Sequence, residues 1–415
     1  MEKGGARQAV KKILIASYDM EVGGVERSLA GMLDSFDYAR HSVDLMLFRH
    51  RGDFMGLLNE RANLLPEHPS YATFRQSVGE IWRSGRWAIG AGRALSKLHA
   101  DVIGRRRGFA EPGYYQMQLM WRYTLPFLPK ARGFYDAAIS YLWPHDFVAE
   151  KVNARRKIAW VHTDYSTIDT SRKLDLAVWR KFDFIVAVSE ACKEAFLAKY
   201  GELREKVVVI ENIVSPAAIR KLSVEGADNN PMEADSRFKL VTVARLSHAK
   251  GIDNAVRAMK ILRDRGLERI AWYVVGYGGD EPAIRRLIAE YGLQDRFILL
   301  GKKTNPYPYI RAGDLYVQPS RYEGKAVTVT EAQVLGKPVL ITRYATAASQ
   351  VTNGVDGWMA ELSPEGIADG IERLYGDAAL RSELSDNCLR TDYSGREGLE
   401  KLYACLADER SGGAA

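Results

Sequence analysis

The chain has 415 residues, 47% of them hydrophobic and 27% charged, which is globular composition with enough length for two domains of roughly 200 residues each. Disordered, collagen-like and miniprotein architectures are excluded. The net charge of +7 lies in the first half: residues 1–215 hold 32 basic and 25 acidic side chains, whereas residues 216–415 hold 27 of each.

No apolar stretch approaches the ~18 residues that span a bilayer, and ILIA at 13–16 is too short for a signal-peptide core. The expectation is a soluble or peripheral cytoplasmic protein. Cys192, Cys388 and Cys405 form no C-x-x-C pair and are odd in number, so they read as core thiols, with neither a disulfide framework nor a zinc site.

In chain order, KILIASY (12–18), HSVDLMLF (41–48), YDAAISYL (135–142), KIAWVH (157–162), FDFIVAVS (182–189) and KVVVIEN (206–212) are short apolar runs separated by helix-length segments. This alternation predicts buried parallel strands joined by crossover helices. Between the second and third runs, residues 51–133 are too long for one crossover and carry helical patterns at about 72–100 and 114–124. Residues 51–135 hold 13 basic and 6 acidic groups, among them Arg105, Arg106 and Arg107, with Trp82, Trp87 and Trp121. The polar, aperiodic stretch 215–237 reads as an interdomain linker. A second series follows: KLVTVARL (239–246), IAWYVVG (270–276), RFILLG (296–301), DLYVQPS (314–320) and PVLITR (338–343). The fold class is therefore α/β, with two Rossmann-like domains in tandem, over 1–215 and 238–392, and a helical insertion in the first at about 51–133. A C-terminal helix is expected at about 393–410, packing back on the first domain. Ligands of doubly wound sheets lie beyond the carboxyl ends of the strands, which places the expected site in a cleft between the domains.

The chemistry-bearing motifs follow strands. SYDMEVGGVERSLAGML (17–33) brings Gly23 and Gly24 to a helix start, but it is no G-x-G-x-x-G fingerprint and no Walker lysine follows. His162 closes the strand IAWVH, before Thr163 and Asp164; a lone histidine is usually structural, and this one gains weight from its strand-end position. VARLSHAKGID (243–253) offers the guanidinium fork of Arg245 and the point charge of Lys250, a pair suited to a pyrophosphate, although surface cations beside a helix start would read alike. VVGYGGDEPAI (274–284) holds Gly276 in a tight strand-to-helix turn. In PSRYEGKAVTVTEAQVLGKPVLIT (319–342), Glu323 and Glu331 stand eight positions apart, ~12 Å at the helical rise. That is too far for a close acid–base pair, but it suits the two ends of one elongated ligand. Gly324 permits close backbone approach, and the helix start suits an anion between those ends. The plain alternative is a strand–loop–helix with solvated glutamates. No nucleophilic triad, D-x-D or metal-ligand cluster is apparent, so neither a metal nor another cofactor is expected.

Taken together, GGVE (23–26), H-x-D (162–164), VSE (188–190), Asn212, ARLSHAKG (244–251), VGYGGDE (275–281) and above all PSRYEGKAVTVTEAQVLGKPVL (319–340) resemble the retaining, GT-B-fold glycosyltransferases of family 4, the glycosyl transferases group 1. The resemblance covers nearly all of the second domain and only the strand–helix frame of the first. It implies that Arg245 and Lys250 hold the donor diphosphate, that Glu331 binds the ribose, and that Glu323 contacts the donor sugar. Backbone N–H groups after Gly324, from Lys325, Ala326 and Val327, would add contacts to phosphate and sugar. His162 would touch the sugar near the reacting carbon, Gly23 and Gly24 would let their loop approach the phosphates and acceptor, and the loop at Lys302 and Lys303 would lie beside the base. Lys325 departs from the Phe or small residue common there and adds a positive charge near the sugar site.

The resulting expectation is a metal-independent retaining transferase moving a hexose or N-acetylhexosamine from a nucleoside diphosphate sugar, with UDP the nucleotide expected. The acceptor would be a glycan, expected to be lipid-linked, in bacterial capsule or other surface polysaccharide synthesis. The basic, Trp-bearing insertion suggests an anionic membrane surface on the inner face of the plasma membrane, unless its tryptophans are core. Two competing readings are an epimerase or hydrolase of the same fold and a basic nucleic-acid-binding protein; the latter leaves the glutamate motif without a role.

Overall fold

The apolar runs form strands of two parallel sheets in a computed structural model that describes residues 10–107, 112–225 and 230–407. The chain divides into two units, Met1–Glu211 with Glu397–Ala415, and Asn212–Arg396.

In the first unit, β1 (Lys11–Ser17), β2 (His41–Leu47), β3 (Asn63–Leu64), β4 (Tyr135–Ser140), β5 (Ala154–Val161), β6 (Phe184–Ala187) and β7 (Val207–Val209) assemble in the order β3-β2-β1-β4-β5-β6-β7. In the second, β8 (Phe238–Val243), β9 (Ile270–Val275), β10 (Phe297–Gly301), β11 (Leu315–Gln318), β12 (Val339–Thr342) and β13 (Trp358–Ala360) take the order β10-β9-β8-β11-β12-β13. Every pairing is parallel. Both orders are doubly wound, so each sheet has a switch point where successive connections run opposite ways, between β1 and β4 and between β8 and β11. Helices cover both faces of each sheet, which explains why the central strands are apolar throughout: all six residues of β9 are buried.

The helices of the first unit are α1 (Gly24–Ser35), α2 (Val78–Arg83), α3 (Trp87–Arg107), α4 (Pro112–Thr124), α5 (Asp146–Lys151), α6 (Arg172–Trp179) and α7 (Glu190–Lys199). Those that follow are α8 (Pro216–Leu222), α9 (Ile252–Asp264), α10 (Glu281–Glu290), α11 (Tyr307–Ala312), α12 (Val327–Val334), α13 (Pro364–Gly376), α14 (Ala378–Arg390) and α15 (Arg396–Leu406). The last helix returns to the first unit. Its Tyr403 ring stacks on His41 at 4.9 Å and its hydroxyl accepts from the Asp37 N–H at 2.7 Å, while Lys11 Nζ donates to the Leu406 carbonyl at 2.9 Å.

Three differences from the sequence reading have physical causes. The stretch read as an aperiodic linker contains α8, which Ser215 caps by accepting from the Ala218 N–H while Pro216 fills the first turn. Serine followed by proline is a helix-start signal, and it was hidden by the polar residues that follow. Strands β3 and β13 escape a pattern search because they have two and three residues and lie at sheet edges. Finally, the helical pattern at 72–100 is broken: Ser77 and Glu80 make a capping box for α2, and Gly85, at φ 75°, ends it before α3.

The insertion is also not uniformly a surface. Trp121 is fully buried, donates its indole N–H to the Tyr18 hydroxyl at 2.9 Å, and stacks on Phe74 at 4.3 Å. Trp82 and Trp87 are exposed. One tryptophan is therefore core and two are surface. The insertion also braces the loop after β1: Arg75 Nε lies 2.6 Å from buried Asp19, and the Phe54 N–H donates to the Met20 carbonyl at 2.9 Å.

Candidate functional site

The second unit gathers its motifs at the switch point of its sheet. The loop after β8 carries Arg245 and Lys250, and the neighbouring loop after β11 carries Ser320, Arg321 and Glu323. Lys250 and Glu323, 73 positions apart, become neighbours because β8 and β11 pair side by side.

Close backbone contact locks these loops together. Gly251 adopts φ 63°, and a Cβ there would lie 2.0 Å from the Pro319 carbonyl oxygen, so both conformation and space demand glycine. The Arg321 N–H donates to the Ala249 carbonyl at 2.8 Å, and the Arg321 guanidinium grips both oxygens of Asp253 at 2.8 Å, tying the second loop to the first turn of α9. From the other side, a Cβ on Gly276 would meet the Ala244 carbonyl at 1.8 Å, which seats the loop after β9 on the loop after β8.

Within this frame Lys250 Nζ donates to both oxygens of Glu323 at 2.6 Å. Glu323 Oε1 also accepts from Ser320 Oγ at 2.6 Å and Gln318 Nε2 at 3.2 Å. Gln318 and Ser320 are two positions apart, as residues sharing one face of a strand end must be. The Glu323 side chain is nearly buried, so this ring of donors offsets the desolvation of its charge. Arg245 is the contrast: it is exposed, and its guanidinium makes no hydrogen bond or ion pair among the described residues. An unpaired fork in the same loop as the lysine of a braced Lys–Glu pair is an arrangement for an arriving anion.

The other expected donor-site residues are placed as follows. Glu331 lies in α12 with no exposed surface and accepts from the Tyr307 hydroxyl at 3.0 Å. Gly324 and Lys325 occupy the loop before α12, where the Lys325 carbonyl accepts from Asn212 Nδ2 at 3.5 Å. The N–H of Ala326 donates to Gln350 Oε1 at 3.0 Å, so it is already engaged, a correction to the expectation that it faces the donor. Val327 opens α12 and is buried. Lys302 lies 4.9 Å over the Tyr277 ring and Lys303 5.5 Å over the Tyr309 ring, which puts two cation–aromatic pairs after β10. Sequence reasoning missed Gln318, Ser320, Tyr307 and Gln350, which hold the named residues in position.

In the first unit Gly23 caps α1 in an extended conformation, and its lack of a Cβ makes room for the Glu26 carboxylate, 2.3 Å from where one would sit. His162 follows β5. Its ring lies 4.8 Å from Tyr141 and nearly parallel to Trp160, and its buried Nε2 has no hydrogen-bond partner. Burial pushes its pKa down to about 3 against a hydrogen bond with the Tyr141 main chain, so the imidazole is neutral. Asp164 is buried and accepts from the N–H and hydroxyl of Ser166, a turn-capping role. Among the described residues, no group of three or more His, Cys, Asp or Glu side chains could hold a metal ion. All three cysteines are buried and free.

Residues 227–390 match the family described as glycosyl transferases group 1, a region that contains the second-unit motifs above other than Asn212. The chain is 28% identical over 216 residues to an uncharacterized glycosyltransferase of Methanocaldococcus jannaschii, covering 51% of this chain and 54% of that one. It is 32% identical over 175 residues to the lipopolysaccharide core biosynthesis glycosyltransferase LpsD of Rhizobium meliloti, covering 41% and 49%. The chain thus spans about half the length of the curated relatives it matches. In fold, it resembles Anabaena HepE in complex with UDP-glucose, with a TM-score of 0.63 at 19% identity over 95% of this chain and 100% of that one. That likeness gives this chain, with its two doubly wound units, the GT-B fold.

Proposed function

We propose that this protein is a glycosyltransferase that moves a hexose or N-acetylhexosamine from a nucleoside diphosphate sugar to a glycan acceptor in surface polysaccharide synthesis. The observation that carries the reading is the unpaired Arg245 beside the Lys250–Glu323 pair, inside the segment that matches glycosyl transferases group 1. LpsD, a relative at 32% identity, acts in lipopolysaccharide core biosynthesis, which favours an acceptor carried on a lipid. HepE binds UDP-glucose, which makes UDP the first nucleotide to test.

In this reading each group takes a part. An ammonium has three donors, and Lys250 directs two at Glu323, leaving one for a phosphate oxygen. Glu323 Oε1 is saturated by three donors, while Oε2 receives only Lys250 and retains an acceptor site for a sugar hydroxyl. Arg245 supplies the bidentate contact to the diphosphate. As the bond from the anomeric carbon to the phosphate oxygen breaks, the electron pair leaves with the diphosphate, and the fixed cations stabilise that developing charge. The acceptor oxygen attacks from the same face and passes its proton to the departing phosphate, giving retention without an enzyme nucleophile. Neutral His162 is assigned to a sugar hydroxyl through Nε2. In this scheme the side chains do the electrostatic work of a metal ion, so transfer should persist in excess chelator.

The test is thermal unfolding with UDP, GDP, ADP and NAD. Ligand at ~100 times its dissociation constant stabilises by ~2.7 kcal/mol. Stabilisation by one diphosphate that vanishes in Arg245→Ala is the expected result; indifference to all four nucleotides refutes the reading.

A further inference from the structure

Helix α3 has two apolar faces, and among the described residues only one of them is covered by another helix along its length. Gly92, Ser96, Ala100 and Gly104 recur every fourth residue and are all buried. They form a ridge of small side chains that lets α4 approach: a Cβ on Gly92 would lie 3.1 Å from Thr124 Cγ2, and Ala100 packs with Tyr115 and Leu119. On the opposite side stand Trp87, Ala91, Leu95, Leu98 and Val102. At 100° per residue they fall within an arc of about 80°. Trp87 is 66% exposed, Leu98 63%, Leu95 52% and Val102 44%, and Trp82 of α2 stacks on Trp87 at 6.2 Å. A helix whose only neighbours were protein and water would carry polar residues there.

We propose that the outer face of α2 and α3 docks on an anionic lipid bilayer. Charge identifies the occupant. Exposed Lys97 and Arg106 flank the stripe on either side, exposed Arg105 continues it, and exposed Arg83 stands beside the tryptophans, against two exposed acids among the described residues of these helices, Asp101 and Glu80. Arg107 belongs to the same basic run, but its side chain lies outside the described residues. Tryptophan and basic side chains around an apolar stripe on a 21-residue helix match a helix lying in the headgroup plane, about 31 Å long. Among the described residues no helix is long and apolar enough to cross a membrane, so the contact is to one leaflet. The purpose assigned to it, bringing the enzyme to a lipid-linked acceptor, rests on the transferase reading; the contact itself is read from the surface alone.

The experiment sediments the full chain with vesicles of phosphatidylcholine, with and without phosphatidylglycerol. The expected result is pelleting with the anionic vesicles, weakened by high salt, with a blue shift of tryptophan emission. Trp87→Ser/Leu98→Ser should weaken partitioning at least tenfold. Lys97→Ser/Arg105→Ser/Arg106→Ser should weaken it about a hundredfold, at roughly fivefold per basic residue. Both variants should keep the melting temperature and nucleotide response of the parent, so loss of vesicle binding is separable from loss of the donor site. Recovery in the supernatant with both vesicle types, or binding undiminished in both variants, overturns the proposal. So does a stable dimer that Trp87→Ser/Leu98→Ser dissociates, because the face would then belong to a second copy.

Discussion

The two units share a strand order and differ at the same point within it. At the switch point of the second sheet the loops present ions: unpaired Arg245, the Lys250–Glu323 pair, and Arg321 clasping Asp253. At the switch point of the first, the loop after β4 and the adjoining strand end present neutral groups, while the acids of the loop after β1 are engaged by the insertion, Asp19 by Arg75 and Glu21 by Arg51. Ser28 shares a hydrogen bond with the Tyr141 hydroxyl at 2.7 Å, and His145 and His162 are both held uncharged by burial, with pKa values near 3. Strand order locates a site, and the few residues after each strand decide its chemistry. An ionic loop cluster suits a diphosphate, and an aromatic, uncharged one suits sugar hydroxyls.

Mutations can break this contrast unit by unit. The largest effect is expected from Arg245→Ala, which should lower turnover ~10²–10³-fold, as loss of one preorganised electrostatic donor does, while the melting temperature of the unliganded protein stays put. Steady-state transfer and a melt of the same preparation check both halves; an equal fall in stability would make Arg245 structural. Next comes Lys250→Met, which leaves Glu323 nearly buried with only Ser320 and Gln318 and should cost about 2 kcal/mol of stability. Adding Glu323→Gln should recover part of that loss, and a denaturant double-mutant cycle reads the coupling. Simple additivity would mean that the pair contributes nothing. The smallest effect is acid sensitivity in the first unit. A histidine whose folded pKa lies below its unfolded value near 6.5 contributes stability that is fully present above pH 6.5 and lost as pH falls toward 3. His162→Asn should therefore flatten the decline in stability between pH 6 and 4 by about 1 kcal/mol per pH unit. Burial of Asp146, whose pKa rises to about 7, opposes the trend in the parent, so the variant is compared with the parent at each pH.

How much of this was readable from the sequence depended on distance along the chain. Strands longer than three residues, the glycine turns and the placement of Arg245, Lys250 and Glu323 at strand ends were legible, because each is a local pattern of burial or conformation. The Lys250–Glu323 pair was not, because its partners are 73 positions apart and meet only once β8 and β11 lie side by side. The engagement of the Ala326 N–H by Gln350 was hidden for the same reason, at 24 positions. The tryptophans were misjudged as a group because composition cannot tell which side of a helix faces inward. Trp121 faces Tyr18 and Phe74, whereas Trp87 faces out.

The ridge of Gly92, Ser96, Ala100 and Gly104 has an evolutionary consequence. Because α3 is held to its neighbour through small residues on its inner side, its outer side is free to drift without disturbing the core, and the loops proposed to bind a donor lie in the other unit of the chain. On the two proposals made above, the face that meets a bilayer and the loops that meet a donor thus belong to different units of the chain, so a change in one leaves the other as it was.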